Sequence, residues 1–501
     1  EDFTNMHNFT IFVLLFCCCC FTFIQCRNII SSTQEKKEIP VEPWNVYIPG
    51  EAYTQETTNA DYSKRNIENL ASISSRYSAY ANIKPSITLG MGGDYARGYY
   101  VVLQVGLPKQ NLRIMLDQVS AHLIVTTDRC KECYRAWRRY QPAKSSTAIV
   151  LPCYRCKEVL EGFDWSCHQA RDQCRFVTPF DCNVQVTHYN GTDYDEDHDL
   201  NMCMSKGTIW EDEISFGQFT SAVPIWGVTK QTKDPITKKN RPYVDGYLGL
   251  GWHDSTTFSA FQKGVDGYLP DGFGFCFHQR ACCGKYPRSG KFVVGQPDRL
   301  LFDEHSDIEW VSLKPSRIDY GVFYTIQLKS FMVDGEQIIS ESELAEMEIV
   351  LDPTFHGIGV PVRYYDLIVD NYIVEKHEDF WPLPLLGGQS VSLLSEDFLD
   401  LPTLSFTLEN DQTIDIKSVE YVRPSNKDGE FYFGLGPLVQ DDDENDDDES
   451  RERIILGIPA FWEYYTHYDR ANRLFGYVKK NAKACASAKL SSLYIYDEES
   501  D

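Results

Sequence analysis

The sequence has few basic residues for its length and no late apolar run that could cross a membrane. Lysine and arginine number 48 against 73 aspartates and glutamates, a formal net charge of −25. This balance excludes nucleic acid as an expected partner, because a polyanion would be repelled. A GxSxG nucleophile motif, an HExxH zinc helix and a phosphate-binding glycine loop are all missing. We therefore expect no cofactor and no metal ion.

Long helical patterns are also scarce. Aromatic residues make up 13% of the 501 positions, and glycine and proline are spread along the chain. This composition favours a mainly β protein, and the length suggests two lobes with processed or flexible ends. The acidic run 441–450, DDDENDDDES, is predicted to be a solvated loop, because it lacks the turn glycine and ligand spacing of a calcium loop.

The N-terminal region contains the longest apolar run, which extends from Ile11 to Ile24 after Met6. This run is too short to span a bilayer comfortably, so residues 6–26 are predicted to be a signal peptide. The alternative is a membrane anchor in which Cys17–Cys20 are acylated.

The remaining chain divides by composition. Residues 27–95 are polar and interrupted by prolines, which predicts a prosegment or a flexible arm. Strand-like runs separated by turns then predict an N-terminal lobe over 96–280 and a C-terminal lobe over 281–485, with a tail over 486–501. Asn190 begins an Asn-Gly-Thr glycosylation acceptor. We expect a monomer in the secretory pathway, secreted or in a vacuole-like or lysosome-like lumen, with no transmembrane span in the mature chain.

Cysteine is abundant. Of 17 cysteines, eight lie between Cys130 and Cys203. This density favours disulfides in an oxidising compartment. The two CxxC pairs, whose members are Cys130, Cys133, Cys153 and Cys156, also fit the spacing of a zinc site, which is the alternative.

One acidic residue interrupts an otherwise apolar strand pattern in LRIMLDQVSAHLIV. Alternating apolar residues predict a half-buried strand that delivers Asp117 into a turn. A carboxylate in such surroundings needs a partner or a function. The stretch MEIVLDPTFHGIGV, Met347 to Val360, repeats the pattern with Asp352 in the same place. Internal repetition predicts two similar lobes that each contribute one carboxylate to a shared site.

These stretches resemble the pepsin-like aspartic proteases. GYYVVLQVGLPKQNLRIMLD and MEIVLD are similar to the approaches to that family's two catalytic aspartates, and GKFVVGQPD and YYTHYDRANRLFGYV to its second-lobe start and its closing strands. In that family a hydrophobic-hydrophobic-glycine segment threads each aspartate loop. Tyr247-Leu248-Gly249 and Ile455-Leu456-Gly457 resemble these two segments. The resemblance implies an all-β (mainly β), bilobal fold with two pseudo-twofold-related lobes and a cleft that binds polypeptide. It also implies catalytic roles for Asp117 and Asp352 and structural roles for the two glycines.

The cysteine-rich part is similar to the nepenthesin and plasmepsin V branches, in which these cysteines form disulfides. This similarity favours disulfides over zinc. A similarity to β-secretase implies that Cys485 bonds to Cys276, Cys282 or Cys283.

The first aspartate loop departs from the family's Asp-Thr-Gly-Ser or Asp-Thr-Gly-Thr pattern. Gln118 and Val119 replace the threonine that braces the two loops and the glycine that permits a tight turn, whereas Ser120 is kept. A β-branched residue at the glycine position is expected to deform the turn. Ser120 would steady the outer oxygen of Asp117.

The second loop and the flap depart as well. Asp352 is followed by Pro353, Thr354 and Phe355, so the brace and the steadying hydroxyl are both replaced. Counting along the flap from either side of an insertion places Phe180 or Asp199 where the family has tyrosine. Phe180, Gln118, Thr354 and Phe355 are predicted to contact the substrate.

Taken together, these replacements favour a catalytically impaired homologue, a pseudoprotease, that binds a polypeptide or another ligand in the cleft. The alternative is an aspartic endopeptidase that uses the dyad Asp117 and Asp352 at acidic pH. In a third interpretation, the two carboxylates only accept hydrogen bonds from their own turns. A sequence error is disfavoured, because both loops would have to be altered independently and in frame.

Overall fold

The computed structural model describes residues 86–94, 98–118, 120–130, 133, 138–156, 165–181, 202–231, 244–252, 256–265, 268–278, 290–303, 305–316, 323–355, 357–374, 390–392, 401–424, 430–438 and 452–486. All of them belong to the compact unit Lys64–Asp501. The predicted signal peptide 6–26, the acceptor Asn190 and the acidic run 441–450 lie outside these residues, and so does all but the first residue of the predicted tail 486–501.

Strands dominate the described residues. In chain order they are β1 Ser86–Asp94, β2 Gly98–Val105, β3 Gln110–Asp117, β4 Leu123–Thr126, β5 Ile149–Val150, β6 Trp165–His168, β7 Gln173–Asp181, β8 Met202–Phe216, β9 Phe219–Gln231, β10 Gly246–Gly249, β11 Gly272–Phe277, β12 Gly290–Gly295, β13 Glu309–Ser312, β14 Lys314–Pro315, β15 Tyr324–Ile326, β16 Leu328–Val333, β17 Glu336–Ile339, β18 Glu348–Leu351, β19 Ile358–Pro361, β20 Ser390–Ser392, β21 Leu404–Leu408, β22 Thr413–Ile416, β23 Val422–Pro424, β24 Glu430–Phe433, β25 Leu435–Leu438, β26 Arg453–Leu456, β27 Tyr464–Asp469 and β28 Leu474–Lys479. The predicted mainly β class is confirmed.

Helices in the described residues are short. The α-helices are Thr257–Gly264, Glu341–Glu346, Val362–Ile368, Ser418–Tyr421, Ile458–Phe461 and Ala482–Ala486. Single 3₁₀ turns lie at Pro142–Lys144, Cys153–Arg155, Gln169–Arg171 and Arg299–Leu301, and a π-helical turn lies at Val369–Val374. Across the ranges given above, no helix has both the length and the apolarity that a membrane crossing requires.

The described strands form four sheets. The largest has the order β13-β28-β27-β11-β12-β1-β2-β3-β10-β4-β9-β8-β7-β6, with β5 paired to β8. The second has the order β14-β15-β18-β26-β19-β25, the third β17-β16-β21-β22 and the fourth β20-β24-β23. Residues from β1 to β12 dominate the largest sheet, whereas the other three are built from the second half of the chain.

The two aspartate-bearing segments fold alike, which is the structural counterpart of the repeated sequence pattern. In the first half, β10 pairs with β3 in parallel and with β4 in antiparallel orientation. In the second half, β26 pairs in parallel with β18 and in antiparallel orientation with β19. The same three-strand arrangement therefore occurs once in each half, in agreement with the predicted bilobal fold.

Strands from the start, middle and end of the chain join the two halves. β12 lies between β1 and β11, and β11 pairs on its other side with β27 near the C-terminus. One continuous cluster of buried apolar side chains includes Leu116 of β3, Leu351 of β18 and Tyr468 of β27. The two aspartate loops are thus anchored to a shared core.

β1 extends the folded part of the chain back to Ser86, inside the segment 27–95 that the sequence suggests as a prosegment or an arm. Residues Ser86 to Met91 pair with β12, and Gly92 to Asp94 pair with β2. The pattern SITLGMGGD is weak as a strand signal because three of its nine residues are glycine. Any removable part of the segment would end before this strand.

Four disulfides lie within the described residues. They join Cys130 to Cys133, Cys153 to Cys167, Cys156 to Cys174 and Cys276 to Cys485, with Cα–Cα distances of 5.3 to 5.7 Å. Each cysteine of the two CxxC pairs is therefore oxidised, which confirms the expected disulfides and makes the zinc alternative wrong. Of the three partners proposed for Cys485, the structure selects Cys276.

Candidate active site

The first aspartate loop is held by the strand that threads it. Asp117 ends β3 and pairs with Gly249, the last residue of β10. The backbone N–H of Leu250 donates to the Asp117 carbonyl at 2.7 Å, and the N–H of Gly249 donates to the His122 carbonyl at 2.9 Å. These bonds fix the backbone on both sides of the loop.

Gly249 is glycine because the loop approaches it closely. A Cβ atom at this position would lie 2.5 Å from the carbonyl carbon of Ala121, the amide nitrogen of His122 and the carbonyl oxygen of Ser120. All three atoms are backbone, so no side-chain rotation could relieve the overlap.

The second loop has the same construction. The N–H of Asp352 donates to the Leu456 carbonyl at 2.9 Å, and the N–H of Ile458 donates to the Phe355 carbonyl at 2.8 Å. A Cβ atom at Gly457 would collide with the carbonyl oxygens of Gly357 and Phe355. Both hydrophobic-hydrophobic-glycine segments therefore thread the aspartate loops that their sequences indicate.

Both aspartates are buried, Asp117 to 9% and Asp352 to 2% residual exposure. Oδ1 of Asp352 accepts a hydrogen bond from the Thr354 backbone N–H at 2.9 Å and another from the Thr354 hydroxyl at 2.5 Å. Thr354 stands at the position of the family's glycine and supplies that position's N–H. It also supplies a hydroxyl, which the family's motif places one residue later, where this chain has Phe355. The second carboxylate keeps its local support although Pro353 and Phe355 break the motif.

Ser120 gives the first carboxylate no comparable support. Its Oγ is buried and forms no hydrogen bond with any described atom. Its carbonyl oxygen accepts from the Gly251 N–H at 3.0 Å, so the residue serves the loop through its backbone. Val119, the β-branched replacement for glycine, lies outside the described residues.

Gln118, the residue after Asp117, is buried, with 1% exposure. Burial raises the pKa of the Tyr468 phenol well above its ordinary value, the Gln118 amide opposes that shift, and the charge of Asp352 adds to it. Tyr468 therefore lies within electrostatic reach of residues from both loops. Neither the Gln118 amide nor the Tyr468 hydroxyl has a well-aligned hydrogen bond to the rest of the described chain.

Aromatic rings support this junction. Tyr468 packs against Phe273 and Tyr324, with ring centroids 4.8 and 5.0 Å apart. The Tyr324 hydroxyl donates to the carbonyl of Leu250, the residue after Gly249, at 2.8 Å. The rings thus connect the closing strand β27 to the first aspartate loop.

The other two predicted substrate contacts are Phe355, in the second aspartate loop, and Phe180, on β7. Phe355 is partly exposed and packs on the apolar cluster of Phe323, Val350, Leu438 and Ile455. Phe180 lies on β7 opposite Cys203 of β8, in the hairpin whose end contains the insertion. Asp199, the other flap candidate, lies outside the described residues.

Sequence reasoning missed Tyr468 and His122. Tyr468 is part of the closing-strand motif, but nothing local in that motif shows that its ring reaches Gln118. His122 lies in the first aspartate loop and stacks on Trp226, with ring centroids 4.1 Å apart and planes at 15°. The sequence gives no sign of this contact, because Trp226 lies on β9, far along the chain from His122.

Two buried titratable groups elsewhere influence stability at acidic pH. Burial lowers the pKa of His467 to about 3, against the effect of its backbone hydrogen bond with Gly295. Burial also raises the pKa of Asp245 to about 6, although the backbone N–H groups of Arg138 and Arg113 oppose the shift. Within the described part of the chain, no group of three His, Cys, Asp or Glu side chains could hold a metal ion.

We expect His467→Gln to make the protein more acid-stable. Because the folded-state pKa of His467 lies below its unfolded value, the unfolded chain takes up the proton first as pH falls below 6.5. The free energy of unfolding should therefore fall by up to about 1.4 kcal/mol per pH unit more in the parent than in the variant. Urea unfolding of both proteins between about pH 6.5 and pH 3 measures this difference in pH dependence. Asp245 contributes in the opposite direction, but it does so equally in both proteins and therefore cancels from the comparison. Parallel pH curves would contradict the prediction.

The fold and its site define a β protein with two equivalent aspartate loops, each threaded by a glycine segment. A family model described as eukaryotic aspartyl protease matches residues 163–480, more than half of the chain, and the chain belongs to that family. The matched range contains Asp352 and both threading glycines, whereas Asp117 precedes it. A search among curated proteins gave no match.

Proposed function

We propose that this protein is a catalytically impaired aspartic protease homologue that binds a polypeptide in the cleft between its lobes. The observation that carries the proposal is the loss of the family's motif at the first aspartate loop, where Gln118 and Val119 replace the threonine and the glycine and the retained Ser120 hydroxyl is not used. Thr354 gives Asp352 two hydrogen bonds, whereas the Ser120 hydroxyl bonds to no described atom and so does not steady Asp117.

The loss of the motif matters because the chemistry requires a matched pair of carboxylates. Two carboxylates held close together share one proton around a water; one activates the water while the other protonates the carbonyl or the leaving group. An Asp117 carboxylate held by contacts other than those of the family's motif need not present its oxygen to that water. Misplacement of a reacting group by about 1 Å can lower a rate by about 100-fold.

The replacement of the brace supports the same conclusion. Where the family uses a threonine hydroxyl, this chain places the larger Gln118 amide beside Tyr468. The contact joins two neutral, buried groups from the first loop and the closing strand β27. It does not reproduce the threonine hydroxyl with which the family braces its two loops.

A polypeptide is the expected ligand because the family binds polypeptides in its cleft. The four disulfides favour an oxidising compartment, and with the predicted signal peptide 6–26 they support a secreted or lumenal location. Asn190 would carry a glycan there.

The proposal is tested with denatured haemoglobin between about pH 3 and pH 6, with and without pepstatin. We expect saturable binding to the immobilised substrate and no new fragments on gels or by mass spectrometry. Matched incubations use Asp117→Asn, which should bind like the parent. Pepstatin-sensitive cleavage that Asp117→Asn abolishes would overturn the proposal.

That outcome would favour the second candidate, an acid endopeptidase with the dyad Asp117 and Asp352. One observation supports this candidate: both aspartate loops keep their threading glycines, and Asp352 keeps its two hydrogen bonds.

A further inference from the structure

A cavity of about 340 Å³ opens at the end of β3 remote from Asp117. Its lining includes Lys109, Gln110, Arg138, Arg139, Gln141 and Lys144. Gln110 and Asp117 are the first and last residues of β3, so at about 3.3 Å per residue the cavity lies about 23 Å from the aspartate loop. It is separate from the proposed cleft.

Hydrogen bonds hold the cavity walls together. The Gln110 amide donates to the Gln141 carbonyl at 3.1 Å, and its side-chain oxygen accepts from the Gln141 N–H at 2.8 Å. Nearby, the Leu107 N–H donates to the Ser145 hydroxyl at 3.0 Å, and the Ser146 N–H donates to the Leu107 carbonyl at 2.7 Å. The walls are thus formed before any ligand binds.

The cavity is cationic, although the chain carries a net charge of −25. Its described lining includes two lysines, two arginines and no carboxylate. The Arg139 guanidinium is fixed to the Cys130 carbonyl, and the Arg138 backbone N–H donates to Asp245. Lys109 is exposed as a residue, yet desolvation lowers its pKa against the opposing charge of Glu213. Glu213 and Asp245 oppose these cations locally, but four lining cations against two carboxylates leave a positive balance. Screening limits the effect of more distant acidic residues to about 8 Å in physiological salt.

We propose that this cavity binds a phosphate group, either as inorganic phosphate or as a phosphate monoester. Arginine forks match the oxygens of a tetrahedral anion, and lysine adds a mobile point charge. At about 30 Å³ per water, the cavity holds the equivalent of about eleven waters, which leaves room for an organic group beside the phosphate.

Calorimetric titration of the full chain with inorganic phosphate and with glucose 6-phosphate, at constant ionic strength set with sodium chloride, tests the proposal. We expect saturable binding with a Kd of about 1 mM or lower, weakened at least about tenfold in Lys109→Gln/Lys144→Gln. Both lysines are exposed, so the fold should survive, as circular dichroism will verify. Lys479→Gln/Lys483→Gln, which also removes two exposed lysines but lies outside the cavity lining, is the charge-matched control and should bind like the parent.

Tighter binding of the sugar ester assigns the cavity to monoesters, and equal binding assigns it to the free ion; both results support a phosphate site. Binding that does not exceed that of chloride, or that is equal in the double variant and the parent, would overturn the proposal. None of these results depends on whether the cleft binds or cleaves polypeptide.

Discussion

Restoring the first aspartate loop to Asp-Thr-Gly-Ser should bring peptide turnover from below the detection limit to a measurable rate, a gain of about 100- to 1,000-fold, the range associated with a correctly positioned acid–base group. The change requires Gln118→Thr and Val119→Gly, because Asp117 and Ser120 are already in place. Tyr468→Phe is added so that the smaller threonine does not leave the buried phenol facing an empty space. Cleavage of denatured haemoglobin at acidic pH is the measurement.

The physical reason is geometric. Glycine would allow the tight turn that brings backbone N–H groups near the carboxylate, and threonine would return the hydroxyl that braces the loops. With the turn restored, the Ser120 hydroxyl could reach Asp117 as the Thr354 hydroxyl reaches Asp352 at 2.5 Å. The two carboxylates would then be held alike.

Two controls make this result specific. Tyr468→Phe alone should leave turnover unchanged, and Asp117→Asn in the restored background should abolish the gain. If the restored protein unfolds at the same temperature as the parent but gains no activity, the first loop is not the cause of the impairment. The altered flap would then be the next feature to restore.

Local patterns in the sequence predicted much of the fold. The two-residue alternation before Asp117 predicted β3, and its repetition before Asp352 predicted the second, equivalent loop. The threading roles of Gly249 and Gly457 followed from a resemblance, and the structure places both residues against the loops.

Contacts between distant residues could not be predicted in the same way. Gln118 meets Tyr468 only after β27 has packed into the shared core, and no local periodicity encodes that contact. The second loop shows a different limit. Motif comparison treats Pro353 and Phe355 as losses, whereas the turn conformation lets Thr354 make both hydrogen bonds by itself. β1 escaped notice because its glycines weaken the strand signal.

Gly249→Ala should destabilise the protein by about 3 to 5 kcal/mol, at the upper end for a single substitution. The added methyl would lie 2.5 Å from backbone atoms of Ser120, Ala121 and His122, so the whole loop must move to accept it. Guanidinium chloride unfolding, with the slope held in common, measures the loss.

Gly335→Ala is the matched control, because it adds the same methyl where no atom lies within 4 Å. Its backbone φ of +83° still disfavours alanine, so we expect a cost of about 1 kcal/mol from conformation alone. The difference between the two variants isolates the close approach of the aspartate loop to β10. Equal losses would mean that the loop yields easily, and a loop that yields could not hold Asp117 in one position. A large difference would instead show that the backbone of the first loop remains rigid, so that the impairment originates in its side chains.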